Sequence, residues 1–279
     1  MWRCGSPRIL VLSALAVFIS APAFTEVLTV QSRRASPPIR LDGQADEWAA
    51  DGLILDTKSG SAFAFQNDGR NLYILCVVKK SKSVKSVEST GMTVLGRHGG
   101  TKKPAKGVLF LTRDVSADGY ILWRESQGAL MTEAEKTEVR KAGRQELYLA
   151  FAVEEKGSTY GPLRRQKESE PPDFGFSREA AGTTYEFKIP LAPPDLVPGG
   201  IGALPGETIR VSFSWGGADK KILSAKATRE TPPSEKGELS GSGGTWAQEF
   251  LDTFDSMSRP TLGTKKYAFA VDVKLAEIK

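Results

Sequence analysis

The chain has 279 residues, a net charge of +5 and 25% charged against 40% hydrophobic positions. That length suffices for one large core. With 38 basic and 33 acidic side chains, the excess is too small to mark a nucleic-acid binder, and two cysteines, at positions 4 and 76, are too few for a disulfide framework.

At the start of the chain, Trp2, Arg3 and Arg8 lead into ILVLSALAVFIS and then APA. A basic region, a short apolar run and the small residues Ala21 and Ala23 make a secretory signal peptide over residues 1–23. The competing reading is an uncleaved membrane anchor, although a membrane-spanning helix needs roughly 20 apolar residues and neither this run nor any later one reaches that length. Cys4 precedes the apolar run, which argues against lipidation. Cleavage after Ala23 removes Arg3 and Arg8, leaving 256 residues at +3 with Cys76 as the remaining thiol. Residues 24–36 read as a linker and residues 37–279 as a single domain.

The periodic segments are short and strand-like. SAFAFQNDGRNLYILCVV reads as a hairpin turning at Asp68-Gly69. In its second arm Leu72, Ile74, Cys76 and Val78 face one way and Tyr73, Leu75 and Val77 the other. Both faces are apolar, so this strand is expected at the centre of a sheet, covered on both sides, with Cys76 as a small core residue. Further strands are expected at GVLFLTR from Gly107, ELYLAFAVE from Glu146, TTYEFKIPL from Thr183, TIRVSFSW from Thr208 and YAFAVDVKL from Tyr267. Many alternating strands without interleaved long helices predict an all-β antiparallel β-sandwich with one or two short surface helices. The helices are expected at TEAEKTEVRKAG, where Thr132 and Glu135 match a capping box and Gly143 a stop, and at TWAQEFLDTFDSM. The Pro-, Gly- and Ser-rich stretch at about 216–244 reads as a flexible loop.

IRLDGQADEW, GRNLYILCVV and TTYEFKIPL, in that order, resemble carbohydrate-binding module family 9 and its wider DOMON-like relatives. The matching residues are Ile39, Leu41, Asp42, Gly43, Asp46, Glu47 and Trp48, then Asn71, Leu72 and Tyr73, then Tyr185, Glu186, Ile189 and Pro190. The resemblance implies a sandwich of jelly-roll or DOMON-like type that binds sugars in the better known members and haem in some relatives. The chain departs from that pattern after the LY strand, where KKSKSVKS replaces an acidic position, and it offers no match to a pair of sugar-clamping tryptophans.

Several constellations bear on function. Asp42-Gly43 is a turn pair, and Trp48 is expected to close that turn across one end of the sandwich. The alternative is a calcium site of Asp42, Asp46 and Glu47, although the spacing lacks the ligand series of an EF-hand loop. Aromatic rings stack on the C–H faces of sugars, so Trp123 with Tyr120 and Arg124, and Trp246, are the ligand candidates. The structural alternatives are a strand aromatic for Trp123 and a helix-docking residue for Trp246. His98 and Met92 are the axial ligands to test for non-covalent haem. Glu186 and Glu125 are the carboxylates to test for a glycosidase pair, and nothing in their context signals catalysis. Lys79, Lys80, Lys82, Lys85, Arg97, Lys102, Lys103 and Lys106 form either an anionic-glycan patch or solvated loop charge.

The expected function is an exported, non-catalytic module that binds carbohydrate or a cell-envelope glycan, in the periplasm or outside the cell. No cofactor is expected, with calcium as the alternative, and no nucleic acid partner or membrane insertion after cleavage. The alternatives are an envelope structural or protein-interaction domain that has lost the sugar site, and a haem-binding electron-transfer relative.

Overall fold

The computed structural model describes residues 28–36, 39–49, 52–99, 101, 103–126, 128–155, 159–162, 171–179, 182–217 and 264–278. The leader, Lys102, most of the 216–244 loop and the helix expected around Trp246 lie outside the described residues.

The described strands form two sheets. In chain order they are β1 (Thr29–Gln31), β2 (Arg33–Arg34), β3 (Ile54–Asp56), β4 (Ser61–Asn67), β5 (Asn71–Val78), β6 (Met92–His98), β7 (Lys106–Val115), β8 (Gln145–Glu154), β9 (Thr159–Pro162), β10 (Asp173–Glu179), β11 (Gly182–Pro190), β12 (Thr208–Trp215) and β13 (Tyr267–Lys274). One sheet runs β1-β13-β12-β6-β7-β8-β9, the other β10-β11-β5-β4-β2 with β3 also on β4. This is the expected β-sandwich. It is mixed rather than wholly antiparallel, because β1 pairs β13 and β2 pairs β4 in parallel.

Period-two patterning explains the layers. In the register of β4 on β5, Phe63 meets Cys76 and Phe65 meets Ile74, so these side chains share the inner face. From the other sheet Phe213 of β12 comes within 4.5 Å of the Phe63 ring, and Phe110 of β7 within 4.9 Å of Phe187 on β11. Each such ring, taken out of water, contributes about 1.5–3 kcal/mol. Cys76 is fully buried in this layer, and burial pushes its thiol far above the ordinary range.

One side of the sandwich is stitched shut by the stretch read as a linker. Residues 28–36 pass from the first sheet (β1) to the second (β2). Between them the Ser32 N–H donates to Lys274 O at 2.9 Å and the Ala35 N–H to Asn67 O at 2.9 Å. Asn67, fully buried, donates to Ala276 O at 3.1 Å and accepts from the Ala276 N–H at 2.8 Å. These backbone groups would otherwise be left unpaired at a sheet edge.

Three helices are described rather than one or two: α1 (Ser81–Thr90), α2 (Ala117–Ser126) and α3 (Glu133–Ala142). The first falls in the lysine-rich run, where the sequence suggests solvated loop charge. It covers one end of the sandwich, where Trp215 Nε1 donates to Ser83 Oγ at 3.0 Å and the Gly216 N–H to Thr90 Oγ1 at 2.7 Å. The expected α3 begins with a complete Thr132–Glu135 capping box and stops at Gly143.

Candidate functional site

The turn at Asp42–Trp48 lies on the outer face of the second sheet. There Ala35, Ile39 and Trp48 pack on Ala64, Tyr73 and Leu75, the second apolar face of β5. Its anchor is Glu186 of β11, a fully buried carboxylate. Glu186 Oε2 accepts from the Asp42 N–H at 3.0 Å and the Gly43 N–H at 2.7 Å, and Oε1 accepts from Trp48 Nε1 at 2.7 Å. Burial pushes this carboxyl above the usual range, with Asp42 and Glu47 adding to the rise, while the Trp48 and Gly43 donors pull it back. The motif is thus a structural lock, and Trp48 closes the turn over a sheet face rather than across an end of the sandwich.

The same geometry bears on the calcium alternative. Arg40 occupies the cationic position: its guanidinium lies 3.6 Å from Asp42 and 3.2 Å from Glu47. Asp42 Oδ1 accepts from the Gln44 N–H at 2.9 Å, closing a local turn. Among the described residues no three His, Cys, Asp or Glu side chains converge as a metal site.

The glycosidase pairing fails on topology. Glu186 sits under the flap on the second sheet, whereas Glu125 is on α2, beyond the first sheet, and pairs with Lys136 at 2.8 Å. Both layers, about 10 Å apart, separate them. Glu186 is not the surface ion-pair residue that its strand context suggested. The haem pair fails in the same way. Met92 is buried at one end of β6 and His98 is exposed at the other, six residues or roughly 20 Å along the strand. His98 has a partner that sequence did not reveal, Glu207 at 3.2 Å. The basic cluster is also divided. Lys79, Lys80, Lys82 and Lys85 lie at the α1 end, where Lys80 caps Thr57 O at 2.9 Å. Arg97, Lys103 and Lys106 lie at or beyond the opposite end of β6–β7, where Lys106 pairs with Glu154 at 3.3 Å. They do not form one patch.

The sugar candidates separate. Trp123 is on α2, not on a strand, and packs with Tyr120 against Leu111, Leu147 and Leu149 on the outer face of β7–β8. Its ring is therefore spent largely on docking the helix. Tyr120 and Arg124 do line a concavity, an open groove of about 780 Å³ between α2 and α3 whose far wall carries Met131, Glu135, Glu138 and Val139.

On the side of the sandwich that residues 28–36 do not close, aromatic side chains gather between β8 and β10. Tyr148 of β8 pairs in register with Thr112 and points inward, but it sits near the edge and stays 40% exposed. Its ring is 5.3 Å from Phe174 and 5.4 Å from Phe176 of β10. The aromatic string continues inward through Tyr185 and Phe187, 6.2 Å apart. Arg178 crosses its mouth. The guanidinium lies 4.5 Å over the Phe176 ring and donates to Glu88 of α1 and Glu146 of β8, each at 3.2 Å. Beneath it is a slot of about 10 Å³, the room of one water. Aromatic surface rimmed by a five-donor guanidinium and two carboxylates is chemistry suited to a polyhydroxylated ring. Sequence reading missed this site because Tyr148, Phe176 and Arg178 look like routine strand residues. The available signal was the alternation Phe174-Gly175-Phe176-Ser177-Arg178, which puts two rings and a guanidinium on one face.

No family model matches the chain, and no curated protein does. Among solved structures, the chain is similar to a carbohydrate binding module family 9 from Caldicellulosiruptor kristjanssonii. In complex with cellotriose the identity is 11%, covering 67% of this chain and 75% of that one, with a TM-score of 0.33. In complex with glucose the values are 14%, 68%, 79% and 0.30. A candidate carbohydrate-binding protein from Bacteroides uniformis aligns at 11% identity over 68% of this chain and 84% of its own, with a TM-score of 0.35. The β-sandwich assignment stands on the strand registers themselves.

Proposed function

We propose that this chain is an exported, non-catalytic module that holds a glycan at the side of its sandwich opposite residues 28–36. One observation carries the reading: the half-exposed Tyr148 ring stands beside Arg178, Glu88 and Glu146, so a stacking surface and hydrogen-bonding groups of both kinds share one accessible rim. Two of the similar solved structures are complexes with cellotriose and with glucose. The test is a glycan array followed by titration of the hits against Tyr148→Ala. A loss of about tenfold or more in affinity, the equivalent of about 1.4 kcal/mol, is expected. Absence of any binding glycan, or unchanged affinity in the variant, would defeat the reading. Export is tested by the mature N-terminus, which should be Phe24.

A protein-interaction role is the second reading, favoured by the open groove between α2 and α3. Binding of a protein partner abolished by Val139→Asp, with Tyr148→Ala silent, would support it.

A further inference from the structure

Resting on that reading, we infer that the Tyr148 site selects amino sugars, whose ammonium group is a cation, over uronic acids or sulfated glycans. Among the described residues the charged groups that meet at the mouth are Glu88, Glu146 and Arg178. The single guanidinium is shared between two carboxylates, each held by one hydrogen bond at 3.2 Å. Each carboxylate keeps a second oxygen outside those two bonds, and both side chains are accessible, at 38% and 30% exposure. Among the described residues the rim thus carries one negative charge more than it neutralises. The two tyrosines at the site register the same imbalance. Beyond burial, Tyr148 is raised by Glu146 more than Arg178 lowers it, and Tyr185 is raised by Glu88 more than Arg178 lowers it. Carboxylate influence therefore exceeds guanidinium influence on both flanks.

This is opposite in sign to the chain as a whole, whose net charge is +5. Bulk electrostatics would draw an anionic glycan to the protein and repel a cationic one. A cationic preference would therefore report the local site. An amino group meeting the carboxylate oxygens that lie outside the two Arg178 bonds, with its ring against Tyr148, gains charge-assisted hydrogen bonds and leaves those bonds in place. A uronate there faces two like charges and must break the Arg178 bridges to find a partner.

The full chain is titrated with three trisaccharides, one of glucosamine, one of N-acetylglucosamine and one of galacturonic acid, at a pH where the amine is charged. Salt is set at about 20 and about 300 mM to vary screening. The glucosamine trimer should bind about tenfold tighter than its acetylated counterpart at low salt, and the uronate trimer should not bind. The preference should shrink at high salt and in Glu146→Gln and Glu88→Gln, each first checked for an unchanged melting temperature. Should one of these variants fail to fold, the other serves. Uronate binding as tight as glucosamine, or a preference untouched by both variants, overturns the inference. If the acetylated trimer binds in a Tyr148-dependent way with no preference for the amine, only the charge selection falls. If no trimer binds, the amino-sugar inference falls, while the glycan reading stands or falls on the array.

Discussion

Trp48 Nε1 and Glu186 Oε1 lie 2.7 Å apart although 138 residues separate them in the chain. The contact joins the flap to the central part of the second sheet. Its stability effect is specific because the carboxylate is fully buried and serves two backbone donors as well. A buried donor left without an acceptor costs about 1–3 kcal/mol. Trp48→Phe keeps most of the apolar surface and strands one acceptor, so a loss of about 1–2 kcal/mol is expected in urea unfolding. Glu186→Ala strands three donors and should cost about 3 kcal/mol or more. Equal stabilities for wild type and Glu186→Ala would show that the flap is held by apolar packing alone.

The flap also crosses β10 at a point where no side chain fits. A Cβ on Gly175 would stand 2.0 Å from Leu41 O, and one on Gly43 would stand 2.1 Å from Ser177 N. Both obstacles are backbone, so they cannot swing away. Gly43 also has φ +76°, in the left-handed region. Gly175→Ala should therefore lower stability by about 3 kcal/mol or more. Gly143→Ala makes the comparison: its φ is +77° but nothing lies within 4 Å, so only the conformational cost of about 1 kcal/mol applies. Calorimetric melting of the two variants separates the contributions, and similar shifts would mean that the crossing relaxes.

The central strands were legible because both faces of Leu72–Val78 are apolar, and the alternation in Ile209–Trp215 names its own buried side. Asp68-Gly69 fixed the hairpin through local hydrogen bonding, with Asp68 Oδ1 accepting from the Asn71 N–H at 2.7 Å. What sequence pattern did not expose depends on partners distant in the chain. The strands β1 and β2 have only three and two residues and no periodicity of their own. Helix α1 carries three buried residues, Ser83, Ser86 and Val87, two of them polar, so its inward face reads as hydrophilic. In helix α2, Gly119 and the aromatic and β-branched residues Tyr120, Ile121 and Trp123 resemble a turn and strand. The candidate site was hidden for the same reason. Tyr148, Arg178 and Glu88 come from three elements that share no local signal, and only the meeting of the sheet edges assembles them.

Cys76 offers a probe of the core. It faces Phe63 in register and is fully buried, with its thiol raised by burial alone. A thiol reagent needs the thiolate and a path to it. In protein lacking residues 1–23, labelling should therefore be negligible in the native state and should rise only with global unfolding, tracking the loss of circular dichroism in urea. Rapid native-state labelling would place the inter-sheet layer in contact with solvent.

His98 gives a pH signal that can be read from a single resonance, since the chain has one histidine. Both ring nitrogens face oxygens: Nδ1 is 2.9 Å from Gly99 O and Nε2 is 3.2 Å from Glu207 Oε1. Only the imidazolium can donate to both. The Glu207 hydrogen bond therefore raises the His98 pKa above its ordinary value of about 6.5, with Gly99 O adding to the rise. Glu207 is lowered in turn, first by the Leu204 N–H and then by His98. The signs set the window. The histidine contribution is fully present below about 6.5 and is lost as pH rises through the raised value. The carboxylate contribution is present above about 4.3 and is lost as pH falls through the lowered value. The tie between the end of β6 and the Leu204–Glu207 turn should thus be intact near pH 5–6 and released at alkaline pH. In a proton NMR titration the imidazole midpoint should lie above about 6.5 in the wild type and move down toward it in Glu207→Gln. A midpoint unchanged by that substitution would mean that Glu207 does not hold the ring in solution.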